Sequence, residues 1–310
     1  MKIILAVLLF MSVQFSWSQE QPFLSMDIEV TEWIDGTLFL PNAVEKPDLV
    51  IIIAGSGPTN RNGNQNFFKN NALKKLAEAL SSKGIATFRY DKRIVKQIKM
   101  GKVDKDMSFD DFVSDASDVI DYFKDKETYS KIYVAGHSQG SLVGMLAGKD
   151  QLDGFISLAG AGQNIGDVII EQVDKTAPFF TESTKKVVAS LKDGKKTKDY
   201  PKELGSMFRE DLQEFMISWM KYNPTEELKD LDIPILIING TKDLQVPETE
   251  AVLLKESNPK AELVIIENMN HVLFEIKGND LENSKSYNES FRPISEELVS
   301  SILTFIESNQ

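Results

Sequence analysis

Several short runs in this chain are largely apolar and rich in β-branched residues, and each gives way to turn residues or helical spacing. They are Leu49 to Ala54, Ile85 to Tyr90, Ile132 to Ala135, Phe155 to Ala159, Ile233 to Ile238 and Leu263 to Ile266. A strand with one buried face alternates apolar and polar residues, whereas a strand covered on both faces does not. Continuous apolar strands interleaved with amphipathic helices therefore predict an α/β fold, a mostly parallel central sheet with helices on both faces. Ahead of them, Met26 to Val30 and Gly36 to Leu40 flank a turn and predict an N-terminal hairpin. Helical spacing follows Asn71, and Ser108 with Asp111 three residues on opens another helix as a capping box.

One stretch interrupts the alternation. Between about residues 163 and 231 there is no convincing strand, only helical patterns and a lysine-rich interval near Lys192 to Lys198 that reads as a solvated loop. This segment is expected to be a helical cap inserted between two strands of one domain covering residues 19–310. Residues 1–18 differ in kind. Lys2 precedes an apolar run from Ile3 to Phe15, then Ser16-Trp17-Ser18 and the polar Gln19-Glu20. A basic start, a short apolar core and a small-x-small site predict a signal peptide cleaved after Ser18, and hence an exported, periplasmic or secreted protein. That run is too short to span a bilayer comfortably. With no cysteine in the chain, neither a disulfide nor a lipidated N-terminal cysteine is available.

The formal net charge of −12 argues against nucleic acid as a partner, because phosphate backbones bind cationic surfaces. Only two histidines, His137 and His271, are present, so no metal-ligand cluster is expected, and no cofactor motif is visible.

The chemistry centres on Gly136-His137-Ser138-Gln139-Gly140, a G-x-S-x-G pattern between a buried strand and a helical run of small residues. Strand, sharp turn and helix form the setting of a nucleophile elbow, whose strained serine leaves no room for side chains on the flanking glycines. Adjacent side chains at a strand end point to opposite sides, so His137 faces away from the Ser138 hydroxyl. The remaining histidine, His271, lies just past the strand Leu263 to Ile266, where a loop reaches the C-terminal edge of the sheet. An activated serine needs a base, and His271 is the base expected here. Its orienting acid is expected at Asp243, where the stretch Ile235 to Asp243 runs from a buried strand into a turn, with Glu248 and Glu250 as weaker alternatives. The order Ser138, Asp243, His271 is the α/β-hydrolase order.

Two backbone N–H groups should stabilise the oxyanion: Gln139, at the start of the helix after the serine, and Ser56, in the glycine-flanked loop after Leu49 to Ala54, with Gly57 next in line. In the insertion, Met207, Phe208, Leu212, Phe215, Met216, Trp219 and Met220 recur at helical steps. This face either packs on the sheet or roofs the serine, and in the second case Met207, Phe208, Met216 and Trp219 line an acyl pocket.

The chain resembles the serine-aminopeptidase-like branch of the α/β-hydrolases, especially its exported bacterial esterases. The resemblance rests on Gly55 to Asn64 (GSGPTNRNGN), Arg89-Tyr90-Asp91-Lys92-Arg93, Gly136 to Gly140, Ile233 to Pro247 and Met269-Asn270-His271-Val272. It implies the α/β-hydrolase fold, a triad of Ser138, Asp243 and His271, and an oxyanion hole from Ser56 and Gln139. One departure is visible. The family usually continues Arg93 with a glycine and a turn, whereas Ile94-Val95-Lys96 follows here. Arg61 and Arg93 read as structural ion-pair partners. The expected activity is hydrolysis of carboxylic esters of small molecules through an acyl-enzyme. A thioesterase or peptidase with the same residues is the nearest alternative, and a non-catalytic binding module a more distant one.

Overall fold

The computed structural model describes residues 22–149 and 151–310; the expected signal peptide at 1–18 lies outside the described residues. The chain opens with the hairpin β1 (Phe23–Glu29) and β2 (Asp35–Pro41), followed by β3 (Leu49–Ile53) and α1 (Ala72–Ser81). Next come β4 (Ala86–Tyr90), α2 (Arg93–Met100), α3 (Phe109–Lys124), β5 (Ile132–His137), α4 (Gln139–Ala147) and β6 (Gly154–Leu158). The insertion follows as α5 (Ile165–Thr176), α6 (Thr181–Lys192), α7 (Gly205–Phe208), α8 (Glu210–Trp219) and α9 (Pro224–Lys229). The fold closes with β7 (Ile235–Gly240), α10 (Glu248–Ser257), β8 (Glu262–Ile266), α11 (Asp280–Ser286) and α12 (Glu296–Ser308).

These strands form one eight-stranded sheet in the order β1-β2-β4-β3-β5-β6-β7-β8. The two junctions made by β2 are antiparallel, and every pairing from β4 to β8 is parallel. Strands β3, β4, β5, β6 and β7 are buried almost throughout, because helices cover them on both sides. Alternate residues of each strand feed two cores. Ile51, Ile53, Val134, Phe155 and Ile237 face α3 and α4, while Val50, Ile52, Ala135, Ile156 and Ile238 face α1 and α12. Each fully buried side chain of this size contributes about 1.5–3 kcal/mol relative to exposure.

Local chemistry matches these elements. The capping box is formed: the Ser108 backbone N–H donates to the Asp111 carboxylate at 2.7 Å, satisfying a free helix-terminal group. Where the family's turn would follow Arg93, helix α2 forms instead, ended by Gly101 at φ 66°. Arg93 donates to Asp115 and Asp111 at 2.7 Å, and Arg61 donates to Asp35 and Asp91, so both arginines fasten loops to the domain.

The insertion carries its own small core of Ile169, Val173, Val187, Leu191, Phe208 and Met220. It rests on α3 through aromatic contacts. Trp219 stacks on Phe109 with centroids 5.6 Å apart, and Phe215 lies 5.4 Å from Phe112. Its hinge is held by Glu250, which is buried in α10. The Glu250 carboxylate accepts from the Gly162 N–H at 2.7 Å and the Gln163 N–H at 3.0 Å.

Candidate active site

At the end of β5 the backbone turns sharply, and Ser138 takes φ 54° and ψ −120°. A non-glycine residue there is strained by about 1–3 kcal/mol, and the surroundings must enforce it. They do so by crowding. A Cβ on Gly136 would run into the Gly140 carbonyl, and one on Gly140 would run into the carbonyls of Ile53 and Ala54. The Ser138 N–H donates to the Leu158 carbonyl at 2.8 Å, which pins the turn to β6. The Ser138 hydroxyl has no hydrogen-bond partner among the described residues.

His271 and Asp243 come from loops after β8 and β7. Asp243 Oδ2 accepts from His271 Nδ1 at 2.7 Å, and Asp243 Oδ1 accepts from the N–H groups of Gln245 and Val246 at 2.8 and 2.9 Å. The carboxylate is fully occupied and has no exposed side-chain surface. Because a carboxylate can only accept, the neutral His271 ring carries its proton on Nδ1 and its lone pair on Nε2. The two loops are tied together. The Lys242 N–H donates to the Met269 carbonyl at 3.0 Å, Asn283 Nδ2 donates to the Lys242 carbonyl at 2.6 Å, and Asn270 Nδ2 donates to Asn283 Oδ1 at 2.9 Å.

His137 bonds through Nε2 to the main-chain carbonyl of His271 at 2.8 Å, and the ring centroids lie 4.9 Å apart. It therefore supports the His271 loop from below. Burial, reinforced by the neighbouring His271, pushes the His137 pKa down to about 4. The weaker acid candidates are elsewhere: Glu250 holds the insertion hinge, and Glu248 is exposed at the start of α10.

The N–H groups of Ser56 and Gln139 have no acceptor among the described residues, and both residues border Ser138 in one cavity. A residue unassigned by the sequence joins their two loops. Lys92, 3% exposed, bonds through its ammonium to the Gly55 carbonyl and lies 3.5 Å from Gln139 Oε1. Gly55 C=O and Ser56 N–H belong to the same peptide unit, so a cation on the oxygen makes that N–H a stronger donor. Burial lowers the Lys92 pKa to about 7. Lys92 lies within the family stretch Arg89 to Arg93, but the sequence does not show which group its ammonium meets.

Ser138 sits between two cavities. One, of about 420 Å³, lies beneath the insertion and is lined by Gln139, Leu142, Ile169, Met207, Met216 and Trp219 among others. The other, of about 350 Å³, is shared by Ser138 and His271 and is more polar, bordered by Thr59, Gln65 and Asn70 as well as by Leu73 and Val272. Of the expected pocket residues, Met207, Met216 and Trp219 line the first cavity, but Phe208 does not. Phe208 is fully buried in the core of the insertion, because its helix turns that face inward. The apolar stripe thus divides among the core of the insertion, its seat on α3 and the cavity.

A parallel sheet with a serine elbow after β5, a histidine loop after β8 and helices inserted after β6 defines the α/β-hydrolase fold. The chain belongs to the serine aminopeptidase S33 family, whose model matches residues 69–276. It is 27% identical over 268 residues to Esterase EstD from Thermotoga maritima, an alignment covering 83% of this chain. The chain spans 62% of that relative's length. Among solved structures it is similar to Est1E from Butyrivibrio proteoclasticus, with a TM-score of 0.57, 20% identity, and coverage of 91% of this chain and 99% of that one. The Pyrococcus furiosus esterase Pf2001 follows with a TM-score of 0.53 and 15% identity, covering 92% of this chain and 91% of the other.

The depressed pKa of His137 has a consequence for stability. An unfolded histidine binds its proton near pH 6.5, whereas folded His137 does so only near pH 4. Between these values the unfolded chain holds the extra proton, so stability falls as pH drops through the window, by at most about 3 kcal/mol. Urea unfolding across that window should show this loss in the native protein and a flatter dependence in His137→Asn. Equal slopes for the two proteins would remove His137 as the source.

Proposed function

We propose that this protein is an exported serine hydrolase that cleaves carboxylic esters through an acyl-enzyme. The observation that carries this reading is the hydrogen bond from His271 Nδ1 to buried Asp243, on the rim of the cavity that also contains Ser138. Ser138 Oγ attacks the ester carbonyl while His271 Nε2 takes its proton. Asp243 keeps the tautomer fixed and stabilises the imidazolium. The carbonyl oxygen, now an anion, is held by the N–H groups of Ser56 and Gln139, the first strengthened by Lys92. His271 then returns the proton to the departing alkoxide. Water repeats the path to release the acid and free the serine. Such a donor pair typically contributes about 3 kcal/mol per N–H to transition-state stabilisation. Relatives named as esterases support the choice of ester, and the Lys2-to-Ser18 segment supports export with cleavage after Ser18.

The family description also brings an aminopeptidase into view. An aminopeptidase must hold the α-ammonium of its substrate, and a carboxylate in the pocket is the usual means. No Asp or Glu lines either cavity beside Ser138 among the described residues, which favours an uncharged ester. A thioester needs no such group, and matched oxygen and sulfur esters would distinguish that alternative.

Hydrolysis of 4-nitrophenyl butyrate tests the reading. Ser138→Ala should lose turnover almost entirely, and Asp243→Asn should lower kcat by about four orders of magnitude by releasing the wrong tautomer. Near-native kcat in either variant contradicts the assignment. The insertion makes a separate prediction. Each methylene that fits the apolar cavity adds at most about 0.8 kcal/mol, so kcat/KM should rise with acyl length until the cavity is full. Met216→Ala and Trp219→Ala should shift the preferred length across an acetate-to-octanoate series. A uniform loss at every length would mean these side chains serve packing alone.

A further inference from the structure

The two cavities beside Ser138 differ in chemistry, and the reaction assigns them different halves of the substrate. This inference rests on the ester-hydrolase reading. In that reaction the serine oxygen bonds to the carbonyl carbon, and the bond from that carbon to the alcohol oxygen breaks. The proton that leaves Ser138 travels through His271 Nε2 to the departing alcohol. The carbonyl oxygen stays with the oxyanion donors, so the acyl group lies on the Gln139 side and the alcohol on the His271 side. Ser56 and Ser138 border both cavities, whereas Gln139 lines only the one beneath the insertion and His271 only the other. The apolar cavity therefore takes the acyl chain, and the polar one receives the alcohol.

The walls of the polar cavity describe that alcohol. Its lining includes Thr59, Gln65, Asn70, Gln245 and Tyr287, with no Asp, Glu, Lys or Arg among the described residues. A chain with a formal charge of −12 has thus kept full charges away from this surface. Gln65 Nε2 is spent on Thr59 Oγ1 at 2.7 Å and the Ser56 carbonyl at 3.1 Å, which leaves Gln65 Oε1 as a free acceptor. The Tyr287 oxygen accepts from Gln245 Nε2 at 3.1 Å, which leaves its O–H free to donate. Burial raises the Tyr287 pKa to about 12, so this donor persists through the working pH range. Phe68 meets the Tyr287 ring edge-on with centroids 6.4 Å apart, giving the cavity an aromatic wall.

The loop that carries Thr59, Gln65 and Phe68 is stiffened internally. Asn60 Oδ1 accepts from the N–H groups of Asn62 and Asn64, and Asn64 Nδ2 donates to Asn71 Oδ1. The Gln65 acceptor is therefore set in place before substrate arrives, which lowers the entropy cost of binding. The volume of about 350 Å³ is at the small end of ligand pockets, where one compact group fits. Free acceptor, free donor, aromatic wall and no charge together match the faces of a neutral polyol, whose hydroxyls bond while its C–H face stacks.

We propose that the polar cavity binds the alcohol half of the ester, and that this alcohol is an uncharged, hydroxyl-rich group the size of a glycerol or single sugar unit.

The test holds the acyl group constant and varies the alcohol. With ethyl butyrate and 6-O-butyryl glucose as substrates, the sugar ester should have the higher kcat/KM by about tenfold, or about 1.4 kcal/mol. Tyr287→Phe keeps the ring but removes the donor, and Gln65→Leu removes the acceptor. Either variant should lower kcat/KM for the sugar ester about tenfold more than for the ethyl ester. The two substitutions lie on separate loops, so one remains informative if the other fails to fold. A native enzyme that prefers the ethyl ester, or variants that lower both esters by one factor, would overturn the proposal. Hydrolysis of ethyl and 4-nitrophenyl butyrate without sugar preference would overturn this inference alone. If none of these esters is cleaved, the hydrolase reading falls with it.

Discussion

The backbone of Ser138, at φ 54° and ψ −120°, is the constraint around which the rest is arranged. A serine avoids that conformation in a free chain, so the fold must supply about 1–3 kcal/mol to hold it. It does so through the packing of α4 against β3 and β5. Helix α4 approaches so closely that Gly140 touches the carbonyls of Ile53 and Ala54, and Gly144 lies against Val134 and Phe155. Larger residues at these points would push the helix outward and let the turn relax. The same close approach starts α4 immediately at Gln139, which aims an unpaired N–H at the space beside the serine. Strain, glycine content and donor geometry are thus consequences of one contact between helix and sheet.

Everything else at the site comes from loops, and hydrogen bonds inside the protein hold those loops still. The His271 and Asp243 loops share the Asn270–Asn283–Lys242 chain, so movement of one carries the other. His137 sits beneath the His271 carbonyl, and Lys92 fixes the Gly55 carbonyl. The insertion is fastened separately, by Glu250 at its hinge and by Trp219 and Phe215 on α3. One polar anchor and one aromatic seat therefore determine the distance between the serine and its roof. Buried polar groups of this kind carry a large desolvation penalty unless bonded, which explains why each has its partner.

Much of this arrangement was legible in the sequence, for reasons that can be traced to particular residues. The strands were visible because a doubly covered sheet demands unbroken apolar runs such as Leu49 to Ile53 and Ile235 to Ile238. The Ser108–Asp111 box was visible because capping chemistry has fixed spacing. The structure has His137 on the His271 carbonyl and His271 on Asp243, and both rings border the cavity that Ser138 shares. What stayed hidden depends on long-range contacts. Lys92 lies in the Arg89-to-Arg93 stretch, yet only the fold shows that it meets the Gly55 carbonyl. Gln65 and Tyr287 are over two hundred residues apart in the chain, and no periodicity connects them. Phe208 matched the helical step of its neighbours, yet a stripe cannot say which neighbour each residue meets. The break between α7 and α8 sends it into the core of the insertion.

The central claim is that Ser138 is the nucleophile, activated by His271 and held between the Ser56 and Gln139 donors. Mass spectrometry after treatment with a fluorophosphonate tests it most directly, because the probe reports the attacking atom itself. The account predicts a single phosphonyl adduct, found on the peptide that contains Ser138 and formed far more slowly in His271→Ala. An adduct on any other residue, or none after prolonged exposure of the folded protein, would contradict it.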